Sequence, residues 1–162
     1  MLDSFPAWYS LHVNCGGKLI SNGNINYDDD SQEAGPARFR QTGSNWVFSN
    51  TGHFFDSGRV DYYTWSNTTK LDMNNGELYM DARVSALSLV YYAFCMGNGS
   101  YTISLHFAEI MFTHDQTYSS LGRRIFDIYV QVHTSLKNFL LIFTNHCEPF
   151  LFGLKYCRES WC

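Results

Sequence analysis

Apolar side chains recur at every second position in several short windows of this chain. Tyr9-Ser10-Leu11-His12-Val13-Asn14 alternates until Cys15-Gly16-Gly17 interrupts it. Between Ser85 and Cys95, Leu87, Leu89 and Tyr91 share one side while Ser88, Val90 and Tyr92 share the other. Tyr101, Ile103, Leu105 and Phe107 alternate with Thr102, Ser104, His106 and Ala108, and Phe126, Ile128 and Val130 alternate with Asp127, Tyr129 and Gln131. A period of two places alternate side chains on opposite faces of an extended strand, so each window predicts a strand with one buried face. The Asn98-Gly99 pair lies between two of them and predicts a tight hairpin. No window of similar length has helical periodicity. Short strands separated by turn residues predict an all-β antiparallel sandwich or barrel.

Elsewhere the pattern is weaker. Residues 21–42 are rich in Asn, Asp, Gly and Ser and read as a long loop holding one short strand. Asn45-Trp46-Val47-Phe48 and Phe54-Phe55 set large rings beside the turn signal Asn50-Thr51-Gly52, and Val60 to Trp65 reads as a further short strand. From Val132 onward the alternation lapses into runs of Phe and Leu, with no turn chemistry that would continue a sheet.

Composition agrees with one domain. The chain has 162 residues, 45% hydrophobic and only 16% charged, which excludes a disordered segment. Thirteen Phe, eleven Tyr and four Trp raise the aromatic share to 17%, and such residues favour half-buried pleated surfaces. The net charge of −4 is accompanied by only two tight basic pairs, Arg38/Arg40 and Arg123/Arg124, so neither nucleic acid nor an anionic membrane surface is an expected partner. The five cysteines form no CxxC pair, which argues against a zinc knuckle or a thioredoxin-like site, and no cofactor is expected. Two sequons, at Asn67 and Asn98, are compatible with secretion. Residues 1–6 have no signal-peptide pattern, and the apolar stretch 139–143 is too short for a membrane span.

Several blocks carry a family resemblance. They are Tyr9 to Gly17, Ser44 to Ser49, Leu78 to Arg83, Tyr101 to Ile110 (YTISLHFAEI) and Tyr118 to Tyr129 (YSSLGRRIFDIY). In order and spacing they resemble the malectin domain, in particular the version in the ectodomains of plant leucine-rich-repeat receptor-like kinases. The resemblance implies a jelly-roll β-sandwich over residues 8–131, non-catalytic, presenting sugar-binding loops at one end. The animal relative binds a glucose disaccharide on a high-mannose N-glycan. In the plant receptors the domain sits at the extracellular face of the plasma membrane, so an oligosaccharide or cell-wall glycan is the expected partner; the alternative is a peptide or co-receptor. Residues 132–162 do not resemble the family's closing strands and are expected to be an atypical tail, leaving the sandwich incomplete at its C-terminus. The parent's repeats, membrane span and kinase lie outside this chain.

Sugar sites combine an aromatic face for the pyranose ring with convergent polar groups for its hydroxyls. By resemblance, Trp46, Tyr79 and Phe112 match the family's ligand aromatics, and Asn45 and Arg83 are candidates for hydroxyl contacts. Met111 replaces one family aromatic and has no phenolic hydroxyl, a departure that favours the protein-binding alternative. Glu109, with Asp115 or Asp127, does not make a hydrolase, because nothing in the sequence sets a second carboxylate opposite the first. His106 and His114 read as strand and loop residues rather than metal ligands. Asp28-Asp29-Asp30 lacks the alternate spacing of a calcium loop and reads as a solvated turn. Cys15 and Cys95 end two predicted strands and are candidates for a disulfide in the secreted parent.

Overall fold

The computed structural model describes residues 7–33, 35, 38–41, 45–54, 63–67, 76–108, 110, 124–131, 133–141 and 148–156. Twelve strands are present among them: β1 (Val13–Asn14), β2 (Ile20–Asn22), β3 (Ile25–Asp29), β4 (Phe39–Gln41), β5 (Trp46–Thr51), β6 (Thr64–Ser66), β7 (Asp81–Arg83), β8 (Ser88–Ala93), β9 (Gly99–Phe107), β10 (Arg124–Val130), β11 (His133–Leu141) and β12 (Glu148–Tyr156). The helical element among the described residues is a 3-10 turn at Gly76–Tyr79. The all-β, largely antiparallel class expected from the alternating windows is the class observed.

Two compact units divide the chain, Met1–Thr102 with Gly153–Cys162, and Ile103–Phe152. The divisions fall inside β9 and β12. In the first unit β4, β5 and β8 form one antiparallel sheet, with Trp46 opposite Ala93 and Phe48 opposite both Arg40 and Tyr91. β5 is the central strand, and Trp46, Val47, Phe48 and Asn50 are all buried, as a strand covered on both faces requires. A second sheet has the order β1-β3-β2, and β6 and β7 form a two-stranded ribbon. The core lies where the two layers meet: Trp46, Phe48 and Tyr63 are enclosed, with Leu11, Val13, Phe54, Leu89 and Tyr91 packed against them. Those residues come from separate short segments whose apolar faces have no other place to bury.

In the second unit, β10 pairs with β11, Val130 opposite His133. Ile128 and Val130 are buried, while Asp127 and Tyr129 face out, as the period of two predicted. The turn pivots on Gln131 in the left-handed region, at φ 55°. Gln is an unusual residue there, which is why no turn was legible at this point. β12 pairs with β9, whose half-buried and exposed residues alternate throughout.

Two expectations fail. Residues 21–42 do not form one long loop: β2 and β3 make a hairpin around Gly23-Asn24, with Ser21 opposite Asn26, and β3 also pairs in parallel with β1. The hairpin is polar and mostly exposed, so it lacks the apolar alternation by which strands are recognised. The Asn98-Gly99 hairpin does not join β8 to β9 either. β8 pairs with β5, and β9 with β12. Cys95 turns the chain at φ 55° before Asn98 is reached, and the following residues bond the N-terminal segment instead, Trp8 N–H to Cys95 C=O at 2.9 Å and Gly97 N–H to Trp8 C=O at 2.7 Å.

The disulfide expected between Cys15 and Cys95 is also corrected. Cys15 carries a free thiol, and Cys95 is engaged in a disulfide, so the two are not joined to each other.

Phe48→Ala empties the centre of the core and is expected to lower stability by about 3–5 kcal/mol. Tyr92→Ala, on the open face of the same sheet, is expected to change it by about 1 kcal/mol or less. Urea unfolding followed by tryptophan fluorescence measures both.

Candidate functional site

Three of the sequence candidates, Trp46, Asn45 and Arg83, are buried in the first unit. Trp46 is 0% exposed, and its indole N–H donates to the Asp28 carboxylate at 2.9 Å. Its ring lies 5.9 Å from that of Tyr91. Both the face and the polar edge of Trp46 are therefore engaged within the protein, and no open ring face remains for a sugar. Trp46, a candidate ligand aromatic by resemblance, is thus enclosed in the core. Asn45, the residue before it, is 2% exposed; its backbone carbonyl accepts from Phe94 N–H at 2.9 Å. The Asn45 side-chain nitrogen is buried without a hydrogen-bond partner among the described residues.

Arg83, at the end of β7, is a buried ion-pair partner rather than a free donor. Its Nε donates to Asp30 Oδ2 at 3.0 Å and its Nη2 to Asp30 Oδ1 at 2.8 Å, a two-point grip on the carboxylate. Nη2 also reaches the Asp30 carbonyl, and Nη1 donates to the Gln32 carbonyl at 3.0 Å. The guanidinium carbon stands 4.4 Å from the centre of the Phe48 ring, a cation–π contact on the core itself. Both charged side chains are 0% exposed. No donor of Arg83 is turned outward to meet a hydroxyl.

Asp30 gathers further donors. The Tyr91 hydroxyl donates to Oδ2 at 2.7 Å and the Gly16 N–H at 3.0 Å. Gly16 can deliver its amide only because it has no side chain. Its φ is +82°, and a Cβ there would sit 2.3 Å from the Ala82 carbonyl carbon. The Cys-Gly-Gly stretch that reads as a plain turn is thus the contact by which the end of β1 closes on β7. Burial, followed by the neighbouring Cys15 and Asp30, pushes the Tyr91 phenol far above its ordinary 10.0. At the β3 end, Asp29 accepts from the Ser31 N–H and the Ser31 hydroxyl, each at 2.7 Å, and the first of these does most to hold its carboxyl below the usual range. The Asp28-Asp29-Asp30 run is therefore three separate anchors: one for Trp46, one for the turn at Ser31, and one for Arg83. A solvated turn was the expectation; the structure instead encloses Asp30 completely.

Tyr79 lies outside the sheets, as the last residue of the 3-10 turn, and is 9% exposed. Phe112, Met111, Glu109, His114 and Asp115 lie outside the described residues. His106 and Asp127 occupy exposed strand positions in β9 and β10. Among the described residues no cluster of three or more His, Cys, Asp or Glu could hold a metal ion, and no helix is long and apolar enough to cross a membrane. Trp65, legible in the sequence as the end of a short strand but not as a site candidate, lies on β6 opposite Ala82 and is 37% exposed. Only its flanking position at the end of a short apolar run could have flagged it.

Arg83→Ala leaves Asp30 buried without its counter-charge and is expected to lower stability by about 3–5 kcal/mol. Asp30→Ala combined with Arg83→Ala is expected to cost clearly less than the sum of the single changes, a coupling read from a double-mutant cycle. Tyr91 supplies a pH test. A phenol whose folded pKa is raised stabilises the fold below the unfolded value of 10.0, and that stability is lost as pH climbs above it. Unfolding midpoints measured across the alkaline range should fall above about pH 10, and the fall should be smaller in Tyr91→Phe.

A family model described as Malectin domain matches residues 9–146. Three probable leucine-rich-repeat receptor-like serine/threonine-protein kinases of Arabidopsis thaliana are similar to the chain. One is 44% identical over 141 residues, covering 83% of this chain and 14% of its own length. The second is 47% identical over 139 residues (81% and 14%), and the third 48% over 135 residues (80% and 13%). The chain thus spans about one seventh of the length of the relatives it matches, and their kinase domain lies outside the matched stretch. No solved structure matches the chain. The resemblance expected from the LHFAEI and GRRIFD blocks holds across most of the molecule: this chain belongs to the malectin domain family, as a non-catalytic domain of the kind carried by plant receptor-like kinases.

Proposed function

We propose that the chain is a glycan-recognition domain on the extracellular side of a plant receptor, binding a glucose-type oligosaccharide or cell-wall glycan without chemical turnover. Membership of the malectin family over residues 9–146 is the observation that carries this reading. In this reading Tyr79 and Phe112 face the sugar. Trp46, Asn45 and Arg83 act one layer below, keeping the loop-bearing strands in place through the core and the Asp30 pair. Tyr79, 9% exposed, is the last residue of a 3-10 turn outside the sheet ladders, and a phenol combines a stacking face with a polar edge for a hydroxyl.

Isothermal titration of the folded chain against glucose-containing oligosaccharides and a panel of cell-wall glycans tests the proposal. Saturable binding is expected. Tyr79→Phe keeps the ring and removes the hydroxyl, and should weaken binding by about 0.5–1.5 kcal/mol while near-ultraviolet circular dichroism is unchanged. Trp46→Ala should abolish binding together with the dichroism signal, because it breaks the core. A folded preparation that binds no glycan in the panel overturns the reading; capture of a peptide ligand unaffected by competing sugars would replace it with the protein-recognition alternative.

A further inference from the structure

The two sequons are equivalent in sequence and different in the fold. Asn98 is exposed, immediately after Gly97, in the segment that leads into β9. That segment is framed on both sides: the Gly97 N–H donates to the Trp8 carbonyl at 2.7 Å, and the Tyr101 hydroxyl donates to the Gly97 carbonyl at 2.6 Å. Beyond Asn98 the surface is open. A Cβ at Gly99 would meet nothing within 4 Å, and Ser100, which supplies the sequon hydroxyl, is exposed. Asn67 is different. It follows β6, its backbone N–H donates to the Met80 carbonyl at 2.7 Å, and its side-chain amide nitrogen is buried. That nitrogen is the atom to which a sugar would be joined.

From this contrast we infer that the folded domain carries an N-linked glycan on Asn98 and an unmodified Asn67. The inference rests on the extracellular reading above, and the disulfide at Cys95 fits the same oxidising compartment. The donor is an oligosaccharide linked to a lipid through a diphosphate. The bond from sugar C1 to Asn98 Nδ2 forms as the C1–O bond to phosphate breaks; the amide gives up one proton and the lipid diphosphate leaves. Transfer to the unfolded chain can reach both asparagines, so the fold makes the selection afterwards. A sugar on the buried Asn67 nitrogen has no room in the packed fold and keeps that molecule from packing, whereas one on Asn98 projects into solvent. It emerges beside the rings of Trp8 and Tyr9, 39% and 73% exposed, and Tyr9 lies so close over Gly97 that a Cβ there would be 2.4 Å from its Cε1. The glycan thus covers aromatic surface that the protein leaves open.

The test uses the full chain behind a cleavable secretion leader, which separates this inference from the chain's native destination. Protein is divided into a folded, protease-resistant fraction and a misfolded one, and each is mapped by glycopeptide mass spectrometry. Ser100→Ala and Thr69→Ala remove each sequon hydroxyl without altering either asparagine. The folded fraction is expected to hold one glycan, at Asn98, lost completely in Ser100→Ala and unchanged in Thr69→Ala. A glycan on Asn67 in the folded fraction, or an unmodified Asn98 in every fraction, overturns the inference. Loss of sugar binding in the titration above would overturn the glycan-recognition proposal and leave this one standing.

Discussion

An ion pair with no access to water must be held by its surroundings, because a carboxylate and a guanidinium out of solvent are each far more costly alone than together. Asp30 and Arg83 are such a pair, and the elements that meet there are those that define the first unit. Asp30 follows β3, Arg83 ends β7, Tyr91 lies on β8 and Gly16 belongs to the turn after β1. Phe48, from the central strand, places its ring under the guanidinium. Hydrophobic burial supplies the drive to stack these layers, but it is tolerant of small slips. The two-point Arg83–Asp30 geometry is not, and it fixes which residue of β7 faces which residue of the β3 end.

That constraint changes how polar and aromatic residues of this domain are read. In isolation Arg83, Asn45 and Trp46 look like the donors and ring of a sugar site. In the fold they are enclosed, with Trp46 tied to Asp28 and Arg83 to Asp30. The neighbouring aspartates therefore hold scaffold side chains in position. A binding domain gains from such a scaffold, since loops can vary in ligand preference while the ion pair and core keep the strands in register.

The strands with one covered face were legible in advance. Leu89 and Tyr91 turn inward and Val90 and Tyr92 outward, and Ile128 and Val130 are buried between exposed neighbours. The β2–β3 hairpin was not legible, because polar residues such as Ser21, Asn22 and Asn26 are paired there through backbone groups and give no apolar alternation. Nor could the hairpin at Asn98-Gly99 be judged locally. The turn propensity was real, but Trp8, from the N-terminal segment, bonds the backbone of Cys95 and Gly97 instead.

The amino-acid sequence alone determined the class of the domain, the facing of its alternating strands and its family, because these follow from periodicity and from ordered blocks that survive without coordinates. Tertiary structure alone decided the partners of each polar group: that Asp30 is enclosed while Asp29 is exposed, that Arg83 is an internal counter-ion, that Cys15 is free, and that one sequon amide is buried and the other open. The physical reason is range. Alternation is written by neighbours two residues apart, whereas the Asp30 charge is enclosed with Arg83, 53 residues distant, and only folding brings the two together.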